Sequence, residues 1–376
     1  MERYLKNQVL QDLEEKMVFI GGPRQVGKTT FSLNFLSGGQ ETHPAYLSWD
    51  DISTRKLLLQ GVLPANENLL ILDEIHKYRE WRNLVKGMYD KNKSSRKFLI
   101  TGSARLDYYR RGGDSLQGRY YYHRLHPLSL LELSASPTQE ELDQLLTLGG
   151  FPEPFLQGNQ RHWKRWQRDR MTRVIQEDLI TLEQVKEVSQ VDLLASILPD
   201  RVGSVLSVNN LSQDLSVSFK TTDRWITILE NLYYCYRIQP FGLPKLRAAK
   251  KERKLYMWDW SQCKDPAARF ENLVASNLLK YCHSEEDREG DKMELQFIRD
   301  SVGREIDFVV VRDNQPEFAV ECKTGEQNPS RNIAYFAARS SIPFFYQVHG
   351  QNRDVEIADQ RTRILPITEL AKILGV

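Results

Sequence analysis

The 376-residue sequence contains no run of the roughly 18 apolar residues that a membrane-spanning helix requires. Cysteine is scarce. Cys235, Cys263, Cys282 and Cys322 are scattered, without the paired spacing that holds zinc and too few for a disulfide framework, so reduced thiols are expected. An excess of one charge is also missing: 52 Lys+Arg stand against 50 Asp+Glu, a net of +2, so any nucleic-acid surface must be local. The opening MERYLKNQVLQDLEEK lacks the apolar core of a secretion signal, which predicts a cytoplasmic protein with no membrane partner. Repeats and low-complexity tracts are absent too. What remains, 40% hydrophobic and 27% charged residues, is the balance of a globular chain, and the length predicts two or three domains.

From Met17 the pattern alternates short apolar strands (MVFIGG, AYLSW, NLLILDE, KFLITGS) with helical stretches such as WRNLVKGMYD, predicting an α/β domain with a mostly parallel sheet over residues 1–133. Residues 134–242 carry helical periodicity, interrupted by a turn at GGFPEPF (149–155). They read as a helical connector that includes a winged-helix or helix-turn-helix-like unit. Residues 243–376 return to mixed strands and helices: KLYMWDW, a helix at AARFENLVASNLLKYC, strands MELQFIR, IDFVVVR and FAVECKT, a helix at NIAYFAARS, and strand PFFYQVHG.

Gly22, four residues, then Gly27-Lys28-Thr29 is a P-loop pattern between a strand and a helix. Its backbone N–H groups (Gly22, Pro23, Arg24, Gln25, Val26, Gly27, Lys28, Thr29, Thr30; proline contributes only shape) would cradle the phosphates of ATP, Lys28 would meet the β/γ oxygens, and Thr29 would ligate Mg²⁺. The apolar run ending in Asp73-Glu74 reads as the partner strand, with Asp73 on Mg²⁺ and Glu74 as the base that polarises water. Arg105, Arg110, Arg111 and Arg119 are candidates for an arginine finger, with Arg119 preferred.

The segments GPRQVGKTT, LLILDEIH, LITGSAR, SLQGR and LHPLSLLEL resemble a large group of bacterial and archaeal AAA+ ATPases whose C-terminal portion has a restriction-endonuclease-like fold. The resemblance runs through most of the chain. It implies an AAA+ P-loop core at 1–133, with Thr101, Gly102 and Ser103 where such proteins place the polar sensor between phosphate and attacking water, and a restriction-endonuclease-like α/β domain at 243–376, and says little about biological role.

In that last segment Glu271, Asp307, Glu321 and Lys323 match a PD-(D/E)xK nuclease pattern. Asp307 and Glu321 lie 321 − 307 = 14 residues apart, enough for two strands and a hairpin, so their carboxylates can converge on one Mg²⁺ or Mn²⁺. Lys323 falls on the same strand face as Glu321, and Glu271 would add a helix-borne ligand. Gln347 is a further polar candidate. Such a set carries out metal-assisted phosphodiester hydrolysis, although an E-x-K triplet also occurs on ordinary strands and the fold can outlive its activity.

Three segments are candidate DNA surfaces. RHWKRWQRDRMTR (161–173) has six Lys/Arg and two tryptophans, and KLRAAKKERK (245–254) has six Lys/Arg; each is equally readable as a solvated face. Lys220, Thr221, Thr222 and Arg224 stand where a recognition helix would begin, or where subunits would pack. The acidic run EEDREGD (285–291) reads as a surface loop. Two functions follow as expectations: an ATPase coupled to a nuclease-like domain that acts on DNA, possible as a homo-oligomer, or a nucleotide-dependent regulatory switch that cuts nothing.

Overall fold

The computed structural model describes residues 1–102, 116–173, 187–242, 253–325 and 328–376. The chain forms two compact units, Met1–His126 and Pro127–Val376. No helix among the described residues is long and apolar enough to cross a membrane.

The first unit is built on five parallel strands: β1 (Met17–Gly21), β2 (Tyr46–Ser48), β3 (Leu69–Asp73), β4 (Lys97–Thr101) and β5 (Tyr120–Arg124), in the order β2-β3-β4-β1-β5. A parallel sheet covered on both faces needs continuous apolar strands rather than alternating ones. β1 is buried at every position, and Leu70, Ile71 and Leu72 of β3 are fully buried. Helices Lys6–Asp12, Lys28–Leu33, Ile52–Leu59 and Trp81–Asn92 accompany the sheet. The register sets Asp73 of β3 opposite Thr101 of β4, and Thr101 opposite Ile20 of β1. Three strand ends therefore converge at one edge, where an open α/β sheet binds its ligand. The closing strand β5, which begins with three successive tyrosines, was not anticipated from the sequence pattern.

The second unit opens with helices Leu130–Leu133, Gln139–Leu148, Pro152–Gln157, Gln160–Thr172, Val188–Ile197, Val208–Asp214 and Phe219–Asn231. It continues as a sheet in the order β12-β13-β11-β10-β9-β8-β6-β7. Its strands are β6 (Cys235–Pro240), β7 (Lys254–Met257), β8 (Met293–Arg299), β9 (Glu305–Arg312), β10 (Gln315–Cys322), β11 (Phe345–His349), β12 (Val355–Ile357) and β13 (Thr362–Pro366). Helices Pro266–Glu289, Arg331–Ala337 and Ile367–Leu374 complete it. From Pro266 the order is helix, three antiparallel strands, helix, and a strand parallel to β10, as the sequence reading expects. β9 and β10 are joined through Asp313 and Asn314, both with positive φ (48° and 66°), the conformation that a tight hairpin matching the strand twist demands.

Several sequence expectations change. Only Gly149–Phe151 of GGFPEPF is a turn; Pro152 starts a helix, where its fixed φ and missing N–H are tolerated. EEDRE is the last part of helix Pro266–Glu289 rather than a loop, ended by Gly290 at φ 82°. Its charge is compensated: Glu285 pairs with Arg288 and, at 2.9 Å, with Arg312. The 161–173 segment is a helix with its aromatic side turned inward. Trp166 and Arg170 are buried, with Arg170 over the Phe151 ring at 4.2 Å, and Trp163 Nε1 donates to Ser261 Oγ at 2.9 Å. Stacking on bases is thereby excluded for Trp166, while Arg161, Lys164, Arg165 and Arg168 stay exposed. On helix Phe219–Asn231, capped by Ser218, Lys220 and Arg224 are exposed but Thr222 is fully buried and cannot meet DNA.

Candidate functional sites

The strand-to-helix turn after β1 requires backbone that only glycine adopts without strain. Gly22 has φ 131°, and a Cβ there would lie 2.4 Å from the Leu125 carbonyl oxygen; Gly27 has φ 93°. The loop folds around its own lysine. Lys28 Nζ is buried and donates to the carbonyls of Gly22 (3.0 Å) and Pro23 (2.6 Å). The Val26 side chain is buried, and its carbonyl accepts from Arg3 at 3.0 Å, so the loop is anchored from beneath.

Asp73 is the hub of the converging strand ends. Its carboxylate accepts from the hydroxyls of Thr29 (3.0 Å), Tyr46 (2.6 Å) and Thr101. Of these, Tyr46 was missed, because a tyrosine 27 residues upstream belongs to no local motif. Register explains it: Tyr46 opens β2, the neighbour of β3. Glu74 follows in the left-handed region (φ 56°, ψ 20°), a conformation that costs a non-glycine residue energy and turns its side chain off the strand line. Burial raises its carboxyl pKa above the usual value, against the pull of Lys77. His76 Nε2 and Lys77 Nζ lie 3.4 and 3.7 Å from its carboxylate, and Lys77 also bonds Asp50 at 2.6 Å. Hard oxygen donors from Thr29 and Asp73 side by side suit Mg²⁺.

Arg119 is held in its own chain as a two-pronged pair with Asp90, Nε at 2.9 Å and Nη2 at 3.2 Å. Thr30 is exposed on the helix that follows the loop. Ser103, Arg105, Arg110 and Arg111 lie outside the described residues, as does all of the 245–254 segment except Arg253 and Lys254.

In the second unit the predicted set does come together, around Asp307 in the middle of the sheet. Asp307 Oδ2 accepts from the Cys322 N–H at 2.8 Å, which ties β9 to β10 beside Glu321. Glu321 is 4% exposed; its Oε1 accepts from Lys323 Nζ (2.7 Å) and Ser330 Oγ (3.3 Å), whereas its buried Oε2 has no hydrogen-bond partner among the described residues. Burial and then the charge of Asp307 push the Glu321 carboxyl up to about 7. Lys323 is held above the usual lysine range, because Glu321 outweighs the effect of burial. Gln347, opposite Glu321 in the β10–β11 register, fixes the neighbouring loop by accepting from Ser330 N–H and donating to Asn328 O.

Glu271 meets a different group. Its Oε1 accepts from Tyr256 (2.7 Å) and from Lys254 Nζ (3.4 Å), and its carboxylate packs against Gly203. The same ammonium reaches Glu305 at 2.5 Å and Asp307 at 3.4 Å. Lys254 is 1% exposed, which corrects its reading as part of a basic surface run. Burial lowers its pKa, but Asp307, Glu271 and Glu305 outweigh that and hold the ammonium charged. Burial and Asp307 also push the Glu271 carboxyl up to about 7. Glu305 and Lys254 were not singled out from sequence; the EID triplet was the only signal for the first. Among the described residues no three carboxylate, imidazole or thiol side chains stand as a ready-made metal cage. The fit to a cation is instead partial: Glu321 offers an orphaned buried oxygen next to Asp307, while Glu271 is already engaged by Lys254 and Tyr256.

Comparison with known sequences divides the chain in three. Residues 14–134 match an AAA domain, residues 139–263 a domain of unknown function (DUF8612), and residues 267–370 another domain of unknown function (DUF4143). Uncharacterized proteins of Mycobacterium bovis and Mycobacterium tuberculosis are 25% identical over 244 residues, 65% of this chain and 54% of each relative. One from Methanocaldococcus jannaschii is 20% identical over 307 residues, 67% of this chain and 62% of the relative. The match thus spans about half the length of the mycobacterial proteins. Among solved structures, the Aeropyrum pernix ORC1 protein in complex with DNA aligns at 13% identity and TM-score 0.33, over 72% of this chain and 91% of that one. The Thermotoga maritima RuvB Holliday junction branch migration motor aligns at 18% and 0.31, over 62% and 88%. Scores of that size transfer nothing to this chain. The segment that carries the P-loop is an AAA domain, by its sequence match and its parallel sheet.

Proposed function

We propose that this protein hydrolyses ATP at its AAA domain and couples that turnover to a restriction-endonuclease-like second unit that engages DNA. The observation that carries the first half is the hub at Asp73. Thr29 and Asp73 sit together where Mg²⁺ of Mg–ATP would be held, and Glu74 stands next in line on the same strand end. Mg²⁺ there supplies charge neutralisation for the phosphates. Lys28 would exchange the Gly22 and Pro23 carbonyls for β/γ oxygens, and Glu74, its pKa already raised by burial, would take the proton of the attacking water. Arg119 would serve a neighbouring subunit of a homo-oligomer only after leaving Asp90.

The nuclease-like half is supported by the convergence of Asp307, Glu321 and Lys323 within the helix–three-strand–helix–strand order. A divalent ion held by Asp307 and Glu321 would supply Lewis acidity toward a phosphodiester. Lys323, fixed by Glu321, would orient water or offset charge on the phosphate. The contrary reading, a regulatory switch whose second unit binds without cutting, is favoured by Lys254, which already engages Glu271 and Asp307.

Incubation of the purified chain with labelled linear, branched and single-stranded DNA, ATP and Mg²⁺ or Mn²⁺ separates the two. Metal-dependent cleavage lost in Glu321→Ala and Lys323→Ala, and altered in Lys28→Ala, supports the first. Binding without cleavage in every condition selects the switch. DNA affinity that does not fall as salt rises would remove DNA as the partner, because phosphate contacts release counterions.

A further inference from the structure

Lys254 is fixed by backbone, not only by its ion pairs. It opens β7, pairs with Ile238 of β6 and bridges to Val205, so its side chain enters the carboxylate cluster from a hydrogen-bonded ladder. Within the cluster it lies 3.4 Å from Glu271, 2.5 Å from Glu305 and 3.4 Å from Asp307. Tyr256, two residues along the same strand, donates to the same Glu271 oxygen at 2.7 Å. Lys323 stands on the other side, paired with Glu321, and among the described residues the buried second oxygen of Glu321 has no hydrogen-bond partner. Lys254 thus occupies the space between Glu271, Glu305 and Asp307, while Glu321 keeps one buried oxygen that no described residue bonds.

We propose that Lys254 is a built-in cation that fills the place between Glu271, Glu305 and Asp307, so that the site takes one divalent ion, beside Asp307 and Glu321, and not two. This deepens the reading of the cluster as a cation site and rests on it. Charge balance is compatible with one added cation rather than two. Four carboxylates (Glu271, Glu305, Asp307, Glu321) face two ammonium groups (Lys254, Lys323) and, from the rim, Arg299 at 3.8 Å from Glu305, so 4 − 3 leaves one net negative charge. A second ion would have to expel an ammonium whose Cα is locked in a ladder, leaving a buried positive charge without a counter-ion. Lys254 is thereby a positioning residue, holding Glu271 and Asp307 in place of a metal.

The test is a Mn²⁺ titration of the nucleotide-free full chain at pH 8, followed by the paramagnetic signal of free Mn²⁺. Wild type is expected to bind one equivalent at this cluster, lost in Asp307→Asn. Lys254→Met is expected to bind a second equivalent, or the first at least tenfold tighter, and Lys254→Arg to restore wild-type binding. Lys254→Gln, which keeps a polar tip, is the substitute if the methionine variant does not fold. Binding in the neutral variants that equals wild type, with Asp307→Asn still abolishing it, overturns the role of Lys254 while leaving the cation site standing. Absence of any Asp307-dependent Mn²⁺ binding in wild type and in the neutral variants overturns the cation site itself, and this inference with it.

Discussion

Replacing Glu321 by glutamine probes the strain at the centre of the second unit. In the folded protein the carboxyl titrates at about 7, against its usual 4.5, because burial and Asp307 oppose ionisation. Between those values the folded state holds a proton that the unfolded chain has released, so stability is fullest below pH 4.5 and falls as pH rises to about 7. A displacement of that size amounts to about 3 kcal/mol at pH 8. Glutamine removes the charge but keeps an oxygen for Lys323 and Ser330 and sets an N–H₂ group at the position of the orphaned Oε2. Since Lys323 loses its counter-charge, part of the gain is offset, and about 1–2 kcal/mol should remain. Urea denaturation in the presence of chelator, followed by tryptophan fluorescence, is therefore expected to show Glu321→Gln more stable than wild type at pH 8 by that amount. At pH 5, where the wild-type carboxyl is already protonated, the two should coincide. A variant less stable than wild type at pH 8, or a gap that is the same at both pH values, refutes the reasoning.

At the ATP site, Glu74→Gln should bind ATP with unchanged affinity but release phosphate about 10²–10⁴-fold more slowly, since only the proton acceptor is lost; unchanged turnover in a phosphate-release assay removes Glu74 from that role. Gly22→Ala drives a Cβ to 2.4 Å from the Leu125 carbonyl at φ 131° and should cost at least about 1–3 kcal/mol, with loss of ATP binding, read from thermal melting and nucleotide titration. Tyr46→Phe deletes one of three hydroxyl donors to Asp73 and should lower the stability of the nucleotide-free protein by about 1 kcal/mol, a loss that Mg–ATP makes smaller; an unchanged melting temperature without nucleotide would show the bond to be idle.

What could be read in advance followed from how local each signal is. The P-loop was legible because its glycines, lysine and threonine lie within eight residues, and β3 because a buried parallel strand has no polar interruptions before Asp73. The Asp307–Glu321–Lys323 group was legible through strand alternation and hairpin length. Tyr46, Glu305 and Lys254 were not, because what makes each one matter is a neighbour brought in by sheet register. Lys254 misled through its company, a stretch of exposed-looking cations at the start of a buried strand. Trp166 and Arg170 misled in the same way: composition records that a helix is basic and aromatic, but only packing decides which face is wet.

β6 also bears on how the second unit can be divided. It follows helix Phe219–Asn231 after three residues, then pairs with β8 on one side and β7 on the other. A fragment starting at residue 243 keeps β7 but strips it of its ladder, leaves the flank of β8 bare, and frees Lys254 from the backbone that aims it. Exposed strand edges recruit other chains, so such a fragment invites aggregation, whereas one that begins ahead of Val208 retains both helices and β6. The helix pair and the sheet are in this sense a single melting unit, spliced at one strand.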